Sequence, residues 1–443
     1  MLVRFAIQNY RSFKEQQVFS MSAGKHTRHK NHIYNANGKR LLKGSLIYGA
    51  NASGKSNLIK AIQFGKRIAL YGLEGLNLSN QHYRIDNSFL YKPGVFQYDF
   101  YYHNKFYSYG FAISYDKRTI ESEWLYLIQE DKEKCIFERN KGKKVKTEMT
   151  FSSKDNEKRF KIYSEDVKDT KTLLAEIVNK NLMYKEFVLF FEVAAWFSNL
   201  VFIFPQTRIN NMEYYNSNET KSNLESLLKY FDTGIESIEG EKKKADEALS
   251  FLRPEIKSQI LDDISKTLLK DNTKTSFVDF GIMGKRFRFS LKDGEVVTTR
   301  LMMNHGNKFD LFDLEDESDG TKRLFDLIPL YKKSNEPCVI FIDELDRSFH
   351  TRLTIEFLQK FFDDTIDLPS QMIVTLHDAS VMDLNWLRQD EIWFVERNED
   401  HASSIYSLNK FKERYDKDIS KDYMLGRYGA IPCFNTISEN EDE

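Results

Sequence analysis

Cysteine is scarce: three residues in 443, Cys135, Cys338 and Cys433, with no C-x-x-C spacing between any two. That argues against a disulfide or zinc framework and fits a reducing compartment. Long apolar runs are missing too, since no stretch approaches the about eighteen uninterrupted apolar residues that a membrane span needs. The opening Met1-Leu2-Val3-Arg4-Phe5 carries a charge inside its short apolar run and shows no cleavage-site pattern. A soluble, cytoplasmic protein without a membrane partner is expected. A dominant charge is also absent, with 65 basic residues against 66 acidic ones. Any surface for nucleic acid would therefore have to be local. The length allows a sizeable core and about two or three structural units.

What is present is Gly49-Ala50-Asn51-Ala52-Ser53-Gly54-Lys55-Ser56, a G-x-x-x-x-G-K-S pattern. It stands between the apolar run Ser45-Leu46-Ile47-Tyr48 and the helical pattern Asn57-Leu58-Ile59-Lys60-Ala61-Ile62. A strand before and a helix after is the setting in which this pattern builds a phosphate loop. The glycines let the backbone curl, so that N–H groups from Asn51 through Ser53 and Gly54 to Asn57 can face phosphate oxygens. The positive end of the following helix adds to the same spot. Lys55 then supplies a point charge for the β- and γ-phosphates, and Ser56 a hydroxyl for Mg²⁺.

Around this loop the pattern changes several times. Leu2 to Ile7 alternates like a strand, and Gln16 to Met21 reads as its hairpin partner. The run Lys25-His26-Thr27-Arg28-His29-Lys30 reads as a solvated loop. From Phe96 to Gln129 period-two alternation predicts an antiparallel meander turning at His103-Asn104-Lys105, its aromatics serving as core. The basic stretch Lys132 to Lys146 predicts an exposed hairpin turning at Asn140-Lys141-Gly142. Between Val167 and Asn272 helical spacing takes over at Leu173 to Val178, Phe187 to Ala195, Leu224 to Phe231 and Ala245 to Leu269. Pro254 starts a new helix within the last of these. Strands return at Phe277 to Phe280, Arg286 to Leu291 and Val296 to Met302. The acidic segment from Asp310 to Asp316 leads into Glu317-Ser318-Asp319-Gly320-Thr321-Lys322-Arg323, and a helix to about Tyr331 follows. Two continuously apolar runs, Cys338 to Ile342 and Gln371 to Leu376, have the character of parallel strands covered on both faces. Glu391 to Val395 completes that sheet.

Asp343-Glu344 directly follows the first of these runs. An Asp there reaches, through water, the metal held by Ser56, and the adjacent Glu is placed to accept a proton from the water attacking the γ-phosphate. His377, after the next run, stands where a γ-phosphate-sensing group belongs.

Together, Asn9-Tyr10-Arg11-Ser12-Phe13, the phosphate loop, Glu317-Ser318-Asp319-Gly320-Thr321, Asp343-Glu344-Leu345-Asp346 and His377-Asp378 resemble the ABC-type ATPases of the SMC, RecF and OLD group. Tyr10 replaces the Phe of that group's N-terminal signature. The resemblance implies ATP and Mg²⁺ as ligands and a place for Arg11 near the nucleotide. It also implies that Ser318 and Gly320 contact the γ-phosphate held by a second copy, so that at least two heads close around two nucleotides. Gln97 and Gln206 are both candidates for the group's Q-loop glutamine. The absence of an Asn-Lys-x-Asp motif favours ATP over GTP.

More narrowly, the stretches Glu317 to Arg323, Asp343 to His350 and Gly426 to Pro432 resemble bacterial AAA/ABC-like ATPases of abortive-infection and other anti-phage systems, the ATPase subunit of PARIS among them. That implies a sensor or scaffold ATPase that answers a phage trigger and holds or activates a separate effector, a TOPRIM-type nuclease being one candidate. No second catalytic cluster follows the ATPase motifs, which argues against a fused nuclease. The rival reading is a RecF-like repair ATPase clamping duplex DNA, with Lys132 to Lys146 as its support. A scaffold with a vestigial site is disfavoured by intact Lys55, Asp343 and Glu344. The fold class is α/β: a P-loop NTPase with an ABC/SMC-like head, a mostly parallel core sheet, an antiparallel β subdomain and a helical insert. The expected division is 1–165 for the N-terminal ATPase lobe, 166–275 for the helical insert and 276–443 for the C-terminal lobe.

Overall fold

Two kinds of strand in the sequence, alternating and continuously apolar, become two kinds of sheet. The computed structural model describes residues 1–129, 132–180, 185–208, 217–270, 277–282, 285–292, 294–307 and 309–432. Cys433, the acidic tail, Asn272 and the expected boundary at 275 lie outside the described residues. The chain divides into two compact units, Met1–Pro205 with Lys333–Asp346 and His350–Glu443, and Gln206–Lys332 with Arg347–Phe349.

The first unit opens with β1 (Leu2–Gln8), β2 (Gln17–Ser20), β3 (Ile33–Ala36), β4 (Lys39–Leu42), β5 (Gly44–Tyr48) and α1 (Lys55–Tyr71). It continues through β6 (Gly94–Tyr102), β7 (Lys105–Ser114), β8 (Thr119–Gln129) and β9 (Lys132–Asn140), then α2 (Lys154–Asp166), α3 (Leu173–Asn179), α4 (Val188–Ser198) and β10 (Leu200–Ile203). The second unit holds α5 (Asn218–Tyr230), β11 (Ser237–Lys244), α6 (Ala245–Ala248), α7 (Pro254–Lys270), β12 (Phe277–Ile282), β13 (Lys285–Lys292), β14 (Glu295–Asn304), β15 (Phe312–Asp313) and α8 (Asp319–Leu327). The chain returns to the first unit along α9 (Pro329–Ser334) for β16 (Val339–Ile342), α10 (Thr351–Asp364), β17 (Gln371–Thr375), β18 (Ile392–Arg397), β19 (Ser403–Ser407) and α11 (Ile419–Met424).

The alternating strands form an antiparallel sheet in the order β2-β1-β6-β7-β8-β9. The apolar ones form a second sheet, β10-β16-β17-β5-β18-β19, parallel except for β19. Every residue of β5, β16 and β17 is buried, as strands covered on both faces must be. One core joins the two sheets through α1. Leu58, Ile59, Ile62 and Ile68 share it with Phe5, Phe96 and Tyr98 of the antiparallel sheet and with Ile47, Phe341 and Ile373 of the parallel one. In the second unit β11-β14-β13-β12 and β15 make an antiparallel sheet. Leu249, Ile264 and Leu268 pack on its Phe287 and Phe289.

Several elements depart from the expectations. The helices expected within 166–275 are present, and Pro254 does open α7. They are shared between the units, however, because Leu173, Ile177, Phe190, Val193 and Trp196 join the core beneath the antiparallel sheet. Helical spacing says that one face is apolar without saying what covers it. The four-residue strand β10, the eight-residue strand β11 and the polar helix α2 are not among the expected elements. β10, only four residues directly after α4, is defined by its pairing with β16. The helix expected to reach Tyr331 instead ends at Leu327, and Pro329, which cannot donate, opens α9.

Gln371 ties the sheets together. Completely buried, it accepts from Leu2 N at 2.5 Å and donates to Leu2 O at 3.0 Å and Leu42 O at 2.8 Å. Replacing it with a similar-sized apolar group leaves three buried backbone groups unmet, each costing about 1–3 kcal/mol. Gln371→Leu is expected to lower the first unit's unfolding free energy by about 3 kcal/mol or more. An unchanged midpoint in urea unfolding would show that the link is not needed.

Candidate functional site

Parallel register puts the ends of neighbouring strands at one level. Ile342 of β16 pairs with Val374 of β17, and Val374 pairs with Leu46 of β5. The loops after these three strands therefore emerge together at the sheet's carboxyl edge, where open α/β sheets bind ligands.

The loop after β5 is compressed against its surroundings. Gly49 has φ +152° and Gly54 φ +116°. A Cβ on Gly49 would stand 2.3 Å from Val395 O, and one on Gly54 would stand 2.4 Å from Ser403 Oγ and 2.9 Å from Ser12 Oγ. Only glycine fits either place. Residues Ala50 to Asn57, with Glu344 and His377, line a cavity of 720 Å³. Asn51, Ser53, Gly54, Lys55, Ser56 and Asn57 are thus brought together with Glu344 and His377.

Lys55 Nζ donates to Gly49 O at 2.6 Å and to Ala50 O at 3.2 Å. Burial lowers its pKa, and the carboxylates of Asp343, Asp346 and Glu344 work in the opposite direction. Ser56 Oγ donates to Asp343 Oδ1 at 3.0 Å. His377 Nε2 lies 3.9 Å from Glu344 Oε1. Glu344 has φ +52°, a left-handed conformation rare for a residue with a Cβ and frequent where a side chain must be aimed.

Three side chains to which the sequence assigns no role support the site. Thr375 donates to Asp343 Oδ1 at 2.7 Å. Asp346 Oδ2 accepts from His377 N at 2.7 Å and from Asp378 N at 2.6 Å, holding the histidine's loop. Ser403 N donates to Ser12 O at 2.7 Å, and Ser403 Oγ donates to Ser53 O. The signals in the sequence are the closeness of Thr375 to His377 and the place of Asp346 in the acidic motif. Ser403 had none, because it arrives on β19.

Arg11 is linked to the cavity without lining it. Its Nε donates to Gln81 Oε1 at 3.0 Å, and its Nη1 lies 3.5 Å from Asn57 Oδ1. Asn9 shapes that turn, donating to Phe89 O and Lys92 O and accepting from Tyr83 N. Ser318 and Gly320 belong to the second unit and do not line the cavity. Ser318 caps α8, accepting from Thr321 N at 3.1 Å. Gln97 is occupied by Asp99 and Ser108 within the antiparallel sheet, while Gln206 opens the second unit. In the basic stretch, Lys141 pairs with Glu121 and Asp169, and Lys146 with Glu138, so part of its charge is neutralised locally.

The donor set suits a Mg²⁺-bound polyphosphate. The first N–H groups of α1 have no acceptor within the helix. The Ser53 hydroxyl is buried with no hydrogen-bond partner. Among the described residues no cluster of His, Cys, Asp or Glu could hold a metal by itself. Mg²⁺ is usually held by one or two protein oxygens together with substrate phosphates, and Ser56 and Asp343 offer such oxygens side by side. Among the described residues no helix is long and apolar enough to cross a membrane.

Residues 45–383 match the family model described as "AAA domain, putative AbiEii toxin, Type IV TA system". No curated protein is significantly similar to the chain. Among solved structures, the SMC head bound to the C-winged helix domain of ScpA is 15% identical, with 93% of this chain and 99% of that one covered at a TM-score of 0.39. The SMC head domain from Thermotoga maritima is 13% identical, with 92% and 98% covered at a TM-score of 0.35. The Smc head with an extended coiled coil bound to the C-terminal domain of ScpA, from Pyrococcus furiosus, is 14% identical, with 93% and 97% covered at 0.34.

Removing the Asp346 carboxylate should free the histidine's loop. Two charge-assisted bonds are lost in Asp346→Ala, so amide exchange at His377 and Asp378 should accelerate by about tenfold or more. Exchange at the wild-type rate would mean that other contacts hold the loop.

Proposed function

The chain belongs to this AAA domain family, and we propose that it is a Mg²⁺-dependent ATPase whose nucleotide state switches an oligomer between two forms. The observation that carries the reading is the 3.0 Å bond from Ser56 Oγ to Asp343 Oδ1, beside a cavity that Lys55, Glu344 and His377 line. Lys55 and the loop N–H groups from Asn51 to Asn57 hold the phosphates. Ser56 and Asp343 are the groups that would hold Mg²⁺, which when bound neutralises charge on the β- and γ-phosphates. Glu344 accepts the proton of the attacking water as its oxygen bonds to the γ-phosphorus and the bond to the β–γ bridging oxygen breaks. His377 contacts the γ-phosphate, and Arg11 supports the nucleotide end through Asn57.

Ser318 and Gly320 act in trans on the nucleotide of a second copy, which makes the working form at least a pair. Support comes from Ser318 being exposed at the start of α8. The biological role we assign is the cytoplasmic sensor or scaffold of an abortive-infection system, answering a phage trigger and governing a separate effector, with a TOPRIM-type nuclease as one candidate. The family description, which names a toxin of a type IV toxin–antitoxin system, supports that setting.

Glu344→Gln should bind ATP like the wild type but hydrolyse it at least about a hundredfold more slowly. Lys55→Ala should lose nucleotide binding. With ATP and Mg²⁺, Glu344→Gln should sediment as a dimer or larger, and adding Ser318→Arg should return it to a monomer. Hydrolysis by Lys55→Ala at the wild-type rate would overturn the assignment of the cavity. A Glu344→Gln particle that stays monomeric would overturn the trans role of Ser318. Unchanged plating of a broad phage panel after deletion of the gene would count against the defence role.

A further inference from the structure

Thr375 ends β17, fully buried between the loops that follow β5 and β16. Its hydroxyl donates to Asp343 Oδ1 at 2.7 Å and accepts from Glu344 N at 2.8 Å. Its carbonyl accepts from Leu345 N at 3.1 Å. A hydroxyl has one hydrogen, so donation to Asp343 leaves only lone pairs for the Glu344 amide, and the direction of both bonds is set. Two consecutive amides of the acidic turn, those of Glu344 and Leu345, are therefore anchored on one residue of the neighbouring strand. Glu344, with φ +52°, is the residue between Asp343 and Leu345 whose backbone needs such anchoring.

The same hydroxyl orients the Asp343 carboxylate. Oδ1 takes hydrogens from both Ser56 Oγ and Thr375 Oγ1. Oδ2 is left without a protein donor among the described residues.

We infer that Thr375 is a positioning residue for hydrolysis, its single hydroxyl setting the Glu344 backbone and the Asp343 carboxylate together. The inference rests on the ATPase reading above. Thr375 is not placed in contact with the nucleotide; it acts through the two acidic residues. Valine has nearly the same shape and lacks the hydroxyl, so it removes both bonds while keeping the packing. Serine keeps the hydroxyl and loses only a methyl group.

The test compares wild type, Thr375→Val and Thr375→Ser, with Lys55→Ala alongside. Thr375→Val should lower kcat by about tenfold to a hundredfold, because a displaced catalytic group loses rate steeply. KM for ATP should stay within about twofold, since the phosphate loop is untouched. The Mg²⁺ concentration for half-maximal rate should rise. Without nucleotide, amide exchange at Glu344 and Leu345 should accelerate by about tenfold. Thr375→Ser should restore kcat, the Mg²⁺ dependence and the amide exchange to near the wild-type values. Wild-type kcat in Thr375→Val, a loss that serine does not rescue, or unchanged exchange at Glu344 would each overturn the inference. If Thr375→Val is insoluble, Thr375→Cys carries the same comparison. Failure of the wild type to bind or hydrolyse ATP would instead defeat the ATPase reading, and the exchange comparison would still decide whether the hydroxyl holds the turn.

Discussion

The site depends on β17 lying in parallel register between β5 and β16. That arrangement brings a phosphate loop, an acidic turn and a histidine loop to one edge at one height. Shifting β17 by one residue would reverse which of its side chains face each layer and carry Thr375 away from Asp343. All residues of β5, β16 and β17 are buried, so the three strands sit inside the core with both faces covered. The geometry of the site follows from their pairing.

Charge at the cavity is balanced by the same placement. Lys55 is largely desolvated, which works against its protonated form, while Asp343, Asp346 and Glu344 work in its favour. Each acidic group has a distinct task in space. Asp343 faces Ser56, Glu344 faces the cavity, and Asp346 is spent on the backbone of His377 and Asp378. The left-handed turn at Glu344 separates Asp343 from Asp346 and lets adjacent carboxylates point different ways.

The antiparallel sheet supports this site from behind. Its core is continuous with that of the parallel sheet through α1, and Gln371 of β17 makes two hydrogen bonds to Leu2 of β1 and a third to Leu42 of β4. The phosphate-binding end of α1 is therefore carried on a helix held from both sides.

The residues by themselves marked the segments that the fold brings to one edge of the parallel sheet. The phosphate loop from Gly49 to Ser56, Asp343-Glu344 and His377 were legible because each follows an apolar strand, and strand ends are marked in sequence by a change of hydropathy. The meander from β6 to β8 was equally legible, since period-two alternation reports a half-buried sheet directly. Only the tertiary structure decided that α3 and α4 belong under the antiparallel sheet, that β10 joins β16, and that Ser403 and Thr375 brace the site. Those facts rest on pairings between residues far apart in the chain, such as Ser403 with Ser53 and Thr375 with Asp343. A single sequence records which face of an element is apolar, but the partner that covers that face is chosen by packing, and packing exists only in three dimensions.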